Sequence, residues 1–197
     1  ESIAERSADQ AIAFLTTSRD VLPSLKEDTR ACLSLVAILV KGEWQQATKC
    51  LEIVAPVLSR IERVERARFL ALAGRVAEGS DIDIPAFLRE SSVALGQIEG
   101  HVHVRILNLA DTLSRTSPGA VLDYLSGTPR VLRQVSMNQL EAWYQTGIEI
   151  LADNPEGGAA FFRGESARSE EVLERLSMGV ELGRVKETLR LYCRALS

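Results

Sequence analysis

Few residues in this sequence belong to a disulfide scaffold, a metal centre or a nucleic-acid surface. There are three cysteines, Cys32, Cys50 and Cys193, far apart and odd in number. No CxxC pair occurs, which excludes a disulfide framework and a cysteine-built zinc site. A reducing compartment follows, so a cytoplasmic location is expected. Aromatics make up only 5% of the 197 residues, against 46% hydrophobic residues dominated by Leu and Ala. That balance favours helix over a β-sandwich. Basic charge does not prevail either: 23 Lys and Arg face 27 Asp and Glu, for a net charge of −4. Bulk attraction to nucleic acid therefore has no electrostatic basis. The longest apolar stretch, Ala31 to Val40 with Ser34 inside it, is far short of the ~20 residues that cross a bilayer, so no membrane insertion is expected. Glu1 to Arg6 carries mixed charge with no apolar segment after it, unlike a signal peptide. The first residue is not Met, which points to a piece of a longer protein.

What the chain does have is an internal repeat. The phrase Val21-Leu22-Pro-Ser-Leu25 returns as Val57-Leu58-Ser-Arg-Ile61 and as Ala94-Leu95-Gly-Gln-Ile98. It returns again as Val131-Leu132-Arg-Gln-Val135 and Val172-Leu173-Glu-Arg-Leu176. The leading leucines are 36, 37, 37 and 41 residues apart. Seven residues before the first four anchors stand Leu15, Leu51, Leu88 and Leu125, preceded by Phe14, Cys50, Phe87 and Tyr124. Four extra residues in the last unit bring Phe161-Phe162 to the place of Tyr124-Leu125, roughly one helical turn, which is compatible with a longer helix there. Fifteen residues after each anchor come Ala37, Ala73, Ala110, Gly147 and Thr188, small enough for most to let helices approach closely.

Each unit reads as a helical hairpin whose first helix ends at the anchor. Lys41-Gly42, Glu78-Gly79-Ser80-Asp81, Thr116-Ser117-Pro118-Gly119 and the Asp153 to Gly158 segment separate the units. Ser80 or Asp81, and Ser117, are the expected helix caps. The expected fold class is all-α: a right-handed α-solenoid of about five helical hairpins, a HEAT/TPR-like superhelix. The expected organisation is one helical-repeat domain over 1–197, with repeats at about 7–41, 43–78, 81–116, 118–153 and 157–197.

No motif of enzyme chemistry stands out. His101 and His103 form HxH, and on a helix they diverge by about 200°, so they do not grip one metal. No glycine-rich phosphate loop precedes a lysine or follows a strand. No catalytic, metal or cofactor residues are assigned. Arginine is the notable polar residue, with 19 Arg against 4 Lys. Phased from the anchors, one flank of the second helices carries Arg68, Arg75, Arg105, Asn108, Gln145 and Glu149. Second helices line the concave face of helical solenoids, so these residues are the candidate surface for a protein partner, with arginine forks suited to carboxylates. The alternative is an ordinary solvated face. On the first hairpin the same flank holds Cys32, Leu35 and Leu39. Local N-terminal residues, a missing segment or a second chain must cover it, which makes a homodimer through the apolar first hairpin one expectation. The rival reading is a ligand-binding or enzymatic helical domain, with Trp143, Tyr144 and His103 lining a pocket between hairpins.

The run from Phe161 through Arg163, Glu165, Arg168 and Leu173 into Val180-Glu181-Leu182 and Leu189 to Leu196 resembles a segment of a known family. It is similar to the stretch before the metal-binding region of bacterial von Willebrand factor A-domain proteins of the nitric oxide reductase activation type. Ser117-Pro118 and Val121 to Leu125 resemble the same family's helical N-terminal region. The resemblance implies a chaperone-like, partner-recruiting scaffold working beside a MoxR-type AAA+ ATPase. It transfers no metal site, because this chain has no DxSxS motif; such a domain would begin beyond Ser197.

Overall fold

A computed structural model describes residues 8–42 and 44–178. The second helix of the last repeat, Cys193 and the Val180 to Leu196 part of the family resemblance lie outside the described residues. Among those described there is no strand. Helices α1 (Ala8–Leu25) and α2 (Thr29–Gly42) join through a 3-10 turn, Lys26–Asp28. Helices α3 (Trp44–Leu58) and α4 (Arg66–Gly79) join through Arg63–Glu65, and α5 (Ile84–Leu95) and α6 (His103–Ser114) through Gly100–Val102. Another 3-10 turn, Pro118–Ala120, leads into α7 (Val121–Leu132), followed by α8 (Met137–Asp153), α9 (Pro155–Arg163) and α10 (Ala167–Ser177). None of the described helices is long and apolar enough to cross a membrane. The chain forms two compact units, Glu1–Leu122 and Asp123–Ser197.

In the first unit the helices pack in two rows. α1 packs on α3 and α3 on α5; α2 packs on α4 and α4 on α6. The turns follow the same order. Arg63 donates to Glu27, 36 residues earlier, and Arg66 Nη1 stands 3.3 Å from Asp28 Oδ2. The helix row repeats that step. A Cβ on Gly74 of α4 would stand 2.9 Å from Ile38 Cδ1 of α2, and Arg75 of α4 is ion-paired with Asp111 of α6. Both pairs are again 36 residues apart.

The first hairpin corrects one sequence expectation. Its 3-10 turn starts four residues after Leu22, whereas the corresponding segments start five after Leu58, Leu95 and Leu132. One residue fewer rotates everything downstream by about 100° relative to an alignment on the leucines. Cys32 therefore matches Phe69 and Ile106, Val36 matches Ala73 and Ala110, and Leu39 matches Val76 and Leu113. All nine are buried. Cys32, Leu35 and Leu39 are 1%, 2% and 6% exposed within the chain itself, so they need neither a missing segment nor a second chain to cover them.

Two local expectations also change. Asp83, rather than Ser80 or Asp81, caps α5 by accepting the Ala86 N–H at 3.3 Å; Ser80 instead donates to the Val76 carbonyl at 2.8 Å. Ser117 precedes the 3-10 turn without a side-chain cap bond. The four extra residues of the last repeat do not lengthen a helix. α9 stops at Arg163, Gly164 adopts φ +73°, and Ser166 caps α10 by accepting the Ser169 N–H at 3.1 Å. The break falls between Phe162 and the anchor, which stays buried at Val172, Leu173 and Leu176.

The core of the second unit is aromatic. Tyr124, Trp143, Tyr144, Phe161 and Phe162 are buried together, with Trp143 and Phe162 centroids 5.3 Å apart at a 70° tilt. Such edge-to-face pairs add about 0.5–1.5 kcal/mol beyond area burial. Phe162 fits because two glycines make room. A Cβ on Gly147 would collide with its ring, and one on Gly127 would collide with its carbonyl oxygen. The second obstacle is backbone and cannot swing aside. Gly127→Ala is therefore expected to destabilise the chain by about 3 kcal/mol, at the upper end of overpacking costs. Gly119→Ala, where a Cβ meets nothing within 4 Å, should change stability by less than about 1 kcal/mol. Urea unfolding of the two variants checks the contrast.

Candidate functional site

The six candidate partner-binding residues fall on three helices. Arg68 and Arg75 lie seven residues apart on α4, on nearly one face. Arg68 is exposed, and its Nη1 donates to Glu65 Oε2 at 2.7 Å. Glu65 is buried at the N-cap position of α4, where the helix dipole favours its negative charge. Arg75 is half-buried and paired with Asp111, which also accepts from Arg115 Nη2 at 3.0 Å. Burial first, and then the Arg115 charge, lowers the Arg75 pKa from the ordinary arginine value. Arg68 and Arg75 thus already hold carboxylates of this chain. Arg105 is half-buried and Asn108 exposed on α6, the helix packed against α4. In the second unit, Gln145 and Glu149 are both exposed, one turn apart on α8.

The partners Glu65, Asp111 and Arg115 were not singled out from the sequence. Spacing signals existed for two contacts: Arg68 follows Glu65 by three residues and Arg115 follows Asp111 by four. The Arg75–Asp111 pair shows up only once the 36-residue step between neighbouring hairpins is known.

The expected pocket lining is core instead. His103 is buried; its Nδ1 accepts the Glu62 N–H at 3.3 Å, and its Nε2 stands 2.9 Å from the Leu95 carbonyl. Acceptance at Nδ1 sets the proton on Nε2, which donates to Leu95. This imidazole ties the turn of the second hairpin to the third, and it lines no groove. Trp143 and Tyr144 belong to the aromatic core of the second unit. His101 sits exposed in its 3-10 turn, 3.3 Å from Glu99.

Reactive groups are held in their neutral forms. Burial, with a smaller effect of Asp28, pushes the Cys32 thiol up to about 11 from 9.0. Burial likewise pushes Cys50 up to about 12. Desolvation raises the Tyr144 phenol to about 12 and Tyr124 further still. Among the described residues, no three His, Cys, Asp or Glu side chains gather to hold a metal ion. A cavity of about 360 Å³ lies where α2 and α4 end and α5 begins. Ile38, Leu39, Ala77 and Ile82 form its apolar wall; Lys41, Glu78 and Asp81 supply charge.

No protein-family model matches this chain, and no curated protein or solved structure is detectably similar to it.

The thiol environment predicts reactivity. In a Cys193→Ser chain, labelling of Cys32 and Cys50 by a thiolate-selective reagent at pH 8 should be at least about a hundredfold slower in the native state than in urea. Stability should be unchanged below pH 9 and fall as pH rises from 9 toward 11, because unfolded thiols release protons that the folded ones retain. Equal labelling rates in both states would contradict the burial.

Proposed function

We propose that the chain is part of a right-handed α-solenoid that acts as a non-enzymatic scaffold for protein partners. The 36-residue step that recurs between neighbouring hairpins of the first unit carries the reading. A fixed step extends one helical surface from hairpin to hairpin, and extended surfaces suit peptide or domain docking better than reaction chemistry. In the first unit Arg68 and Arg105 would offer guanidinium forks to acidic partner groups, with Asn108 adding a polar contact; in the second unit Gln145 and Glu149 would offer polar contacts of their own. Arg75 contributes mainly by holding α4 to α6 through Asp111.

The family resemblance supports a narrower form of the proposal. The chain would be the N-terminal helical domain of a von Willebrand factor A-domain protein, acting with a MoxR-type AAA+ ATPase in chaperone-like maturation or activation. The cavity at the end of α4 favours a second reading, a ligand-binding or enzymatic helical domain. Its mixed lining would take a small amphiphile carrying an ammonium group opposite Glu78 and Asp81.

The scaffold reading is tested by pull-down of the MoxR-type ATPase from the same genome with purified chain. Arg68→Glu/Arg105→Glu should reduce recovery about tenfold, since reversing two interface charges costs roughly 1 kcal/mol or more. Unchanged recovery would remove the arginine surface from the mechanism.

A further inference from the structure

The cavity of about 360 Å³ at the ends of α2 and α4 owes its shape to one linker. After α6 the chain makes the 3-10 turn Pro118–Ala120, which packs on both α4 and α6; a Cβ on Gly79 would collide with the Pro118 ring. Thirty-seven residues earlier the corresponding linker reads Asp81-Ile82-Asp83 and forms no such turn. Ser80 is extended, at φ −155° and ψ 160°, and its hydroxyl donates to the Val76 carbonyl at 2.8 Å. At the other end the Ile84 N–H donates to Gln46 Oε1 at 3.2 Å. The linker is thus tied down at both ends and passes the space beside α2 and α4 without filling it.

Three charged side chains line that space, and the fold commits none of them. Lys41 and Glu78 hold the same place, next to last in α2 and in α4, each followed by a glycine. Asp81 stands in the linker. Among the described residues, none of the three forms an ion pair or a side-chain hydrogen bond. Their neighbours do: Asp83 accepts the Ala86 N–H, and Arg75, the cation whose field reaches Glu78, is paired with Asp111. Ile38, Leu39, Ala77 and Ile82 complete the lining as an aliphatic wall. The volume lies at the small end of the range of about 300–1,000 Å³ typical of ligand sites.

We propose that this cavity binds an aliphatic α-amino acid such as leucine. Its ammonium group meets Glu78 and Asp81, its carboxylate meets Lys41, and its side chain lies against the aliphatic wall. The proposal rests on the ligand-binding reading of the cavity, which it narrows, and is independent of the arginine surface. The lining selects the class. A simple amine leaves Lys41 unpaired and sets a second cation beside it. A simple carboxylic acid leaves Glu78 and Asp81 facing a like charge. A zwitterion meets both signs at once. The C-terminal ends of α2 and α4 carry the negative pole of each helix dipole and add to the attraction for the ammonium group. No aromatic side chain of the described residues lines the cavity, so a planar ring finds nothing to stack on. Size and exposure set the strength. Leucine has about nine non-hydrogen atoms and the three charged side chains are exposed, so a Kd of about 1 mM is expected.

The test is a titration of the whole chain, followed through the NMR shifts of the Ala77 to Ile84 amides. L-leucine, isoamylamine and isocaproate, which share one aliphatic skeleton, are each added to about 50 mM at constant ionic strength. Leucine should bind at least about tenfold more tightly than the amine or the acid. Lys41→Gln should reduce leucine to the affinity of the amine without weakening the amine. Glu78→Gln/Asp81→Asn should weaken leucine and amine alike, by at least about tenfold. An amine or an acid that binds as tightly as leucine overturns the proposal and leaves the wider ligand-binding reading standing. So does a Lys41→Gln chain that still prefers leucine to the amine. Unmoved amides with all three compounds overturn both.

Discussion

The contact on which the rest of the first unit depends is the approach of each second helix to the one before it. At Gly74 the absent side chain gives Ile38 its place, and one hairpin later Asp111 meets Arg75 at the equivalent height. One contact is aliphatic and the other ionic, yet both enforce the same step. Geometry, not interaction type, is what repeats. A buried aliphatic side chain contributes about 1.5–3 kcal/mol. Each hairpin adds several, at Phe69, Leu70 and Leu72 or at Ile106, Leu107 and Leu113, so the stacked row is secured many times over.

Much of this was legible before any coordinates. The recurring leucine phrase marked the ends of α1, α3, α5 and α7, and the Leu51, Leu88 and Leu125 positions proved to be deep core, whereas Leu15 is 64% exposed. The small residue at Gly147 foretold a close approach, filled by the Phe162 ring. What failed was phase in one hairpin. Leu35 and Leu39 looked outward because the alignment was pinned at the anchor, and a turn shorter by one residue leaves no mark in composition. Pinned instead at Cys32, Phe69 and Ile106, the sequence places Cys32, Val36 and Leu39 at positions that are buried in every one of the three hairpins.

The polar surface was harder to read for a different reason. Whether an arginine faces a partner or a carboxylate of its own chain depends on contacts 36 to 40 residues away. Arg63 turns to Glu27, Arg163 to Asp123 at 2.9 Å, and Arg130 to Glu170 at 2.9 Å. Exposed pairs of this kind each contribute little to stability, typically under about 1 kcal/mol. Their effect is to orient the side chains and to remove net charge from stretches that look basic in sequence. His103 follows the same logic. HxH is a surface pattern on paper, but the carbonyl of Leu95 and the N–H of Glu62 give the second imidazole a complete set of partners in the interior.

The last described helices show how the module absorbs a change of length. An insertion of four residues could have been taken up as one more helical turn, which would carry Leu173 about 6 Å further along the axis at 1.5 Å per residue. Gly164 supplies the left-handed conformation that ends α9, and its carbonyl accepts Arg130 Nη1 at 2.7 Å. Ser166 then starts α10 afresh. With the helix broken over the three residues Gly164 to Ser166, both Phe162 and Leu173 are buried. The insertion is tolerated at the break because the buried set, and not helix length, is what the packing requires. The same reasoning covers the shortened first turn, where losing one residue rotated α2 and the apolar positions changed with it.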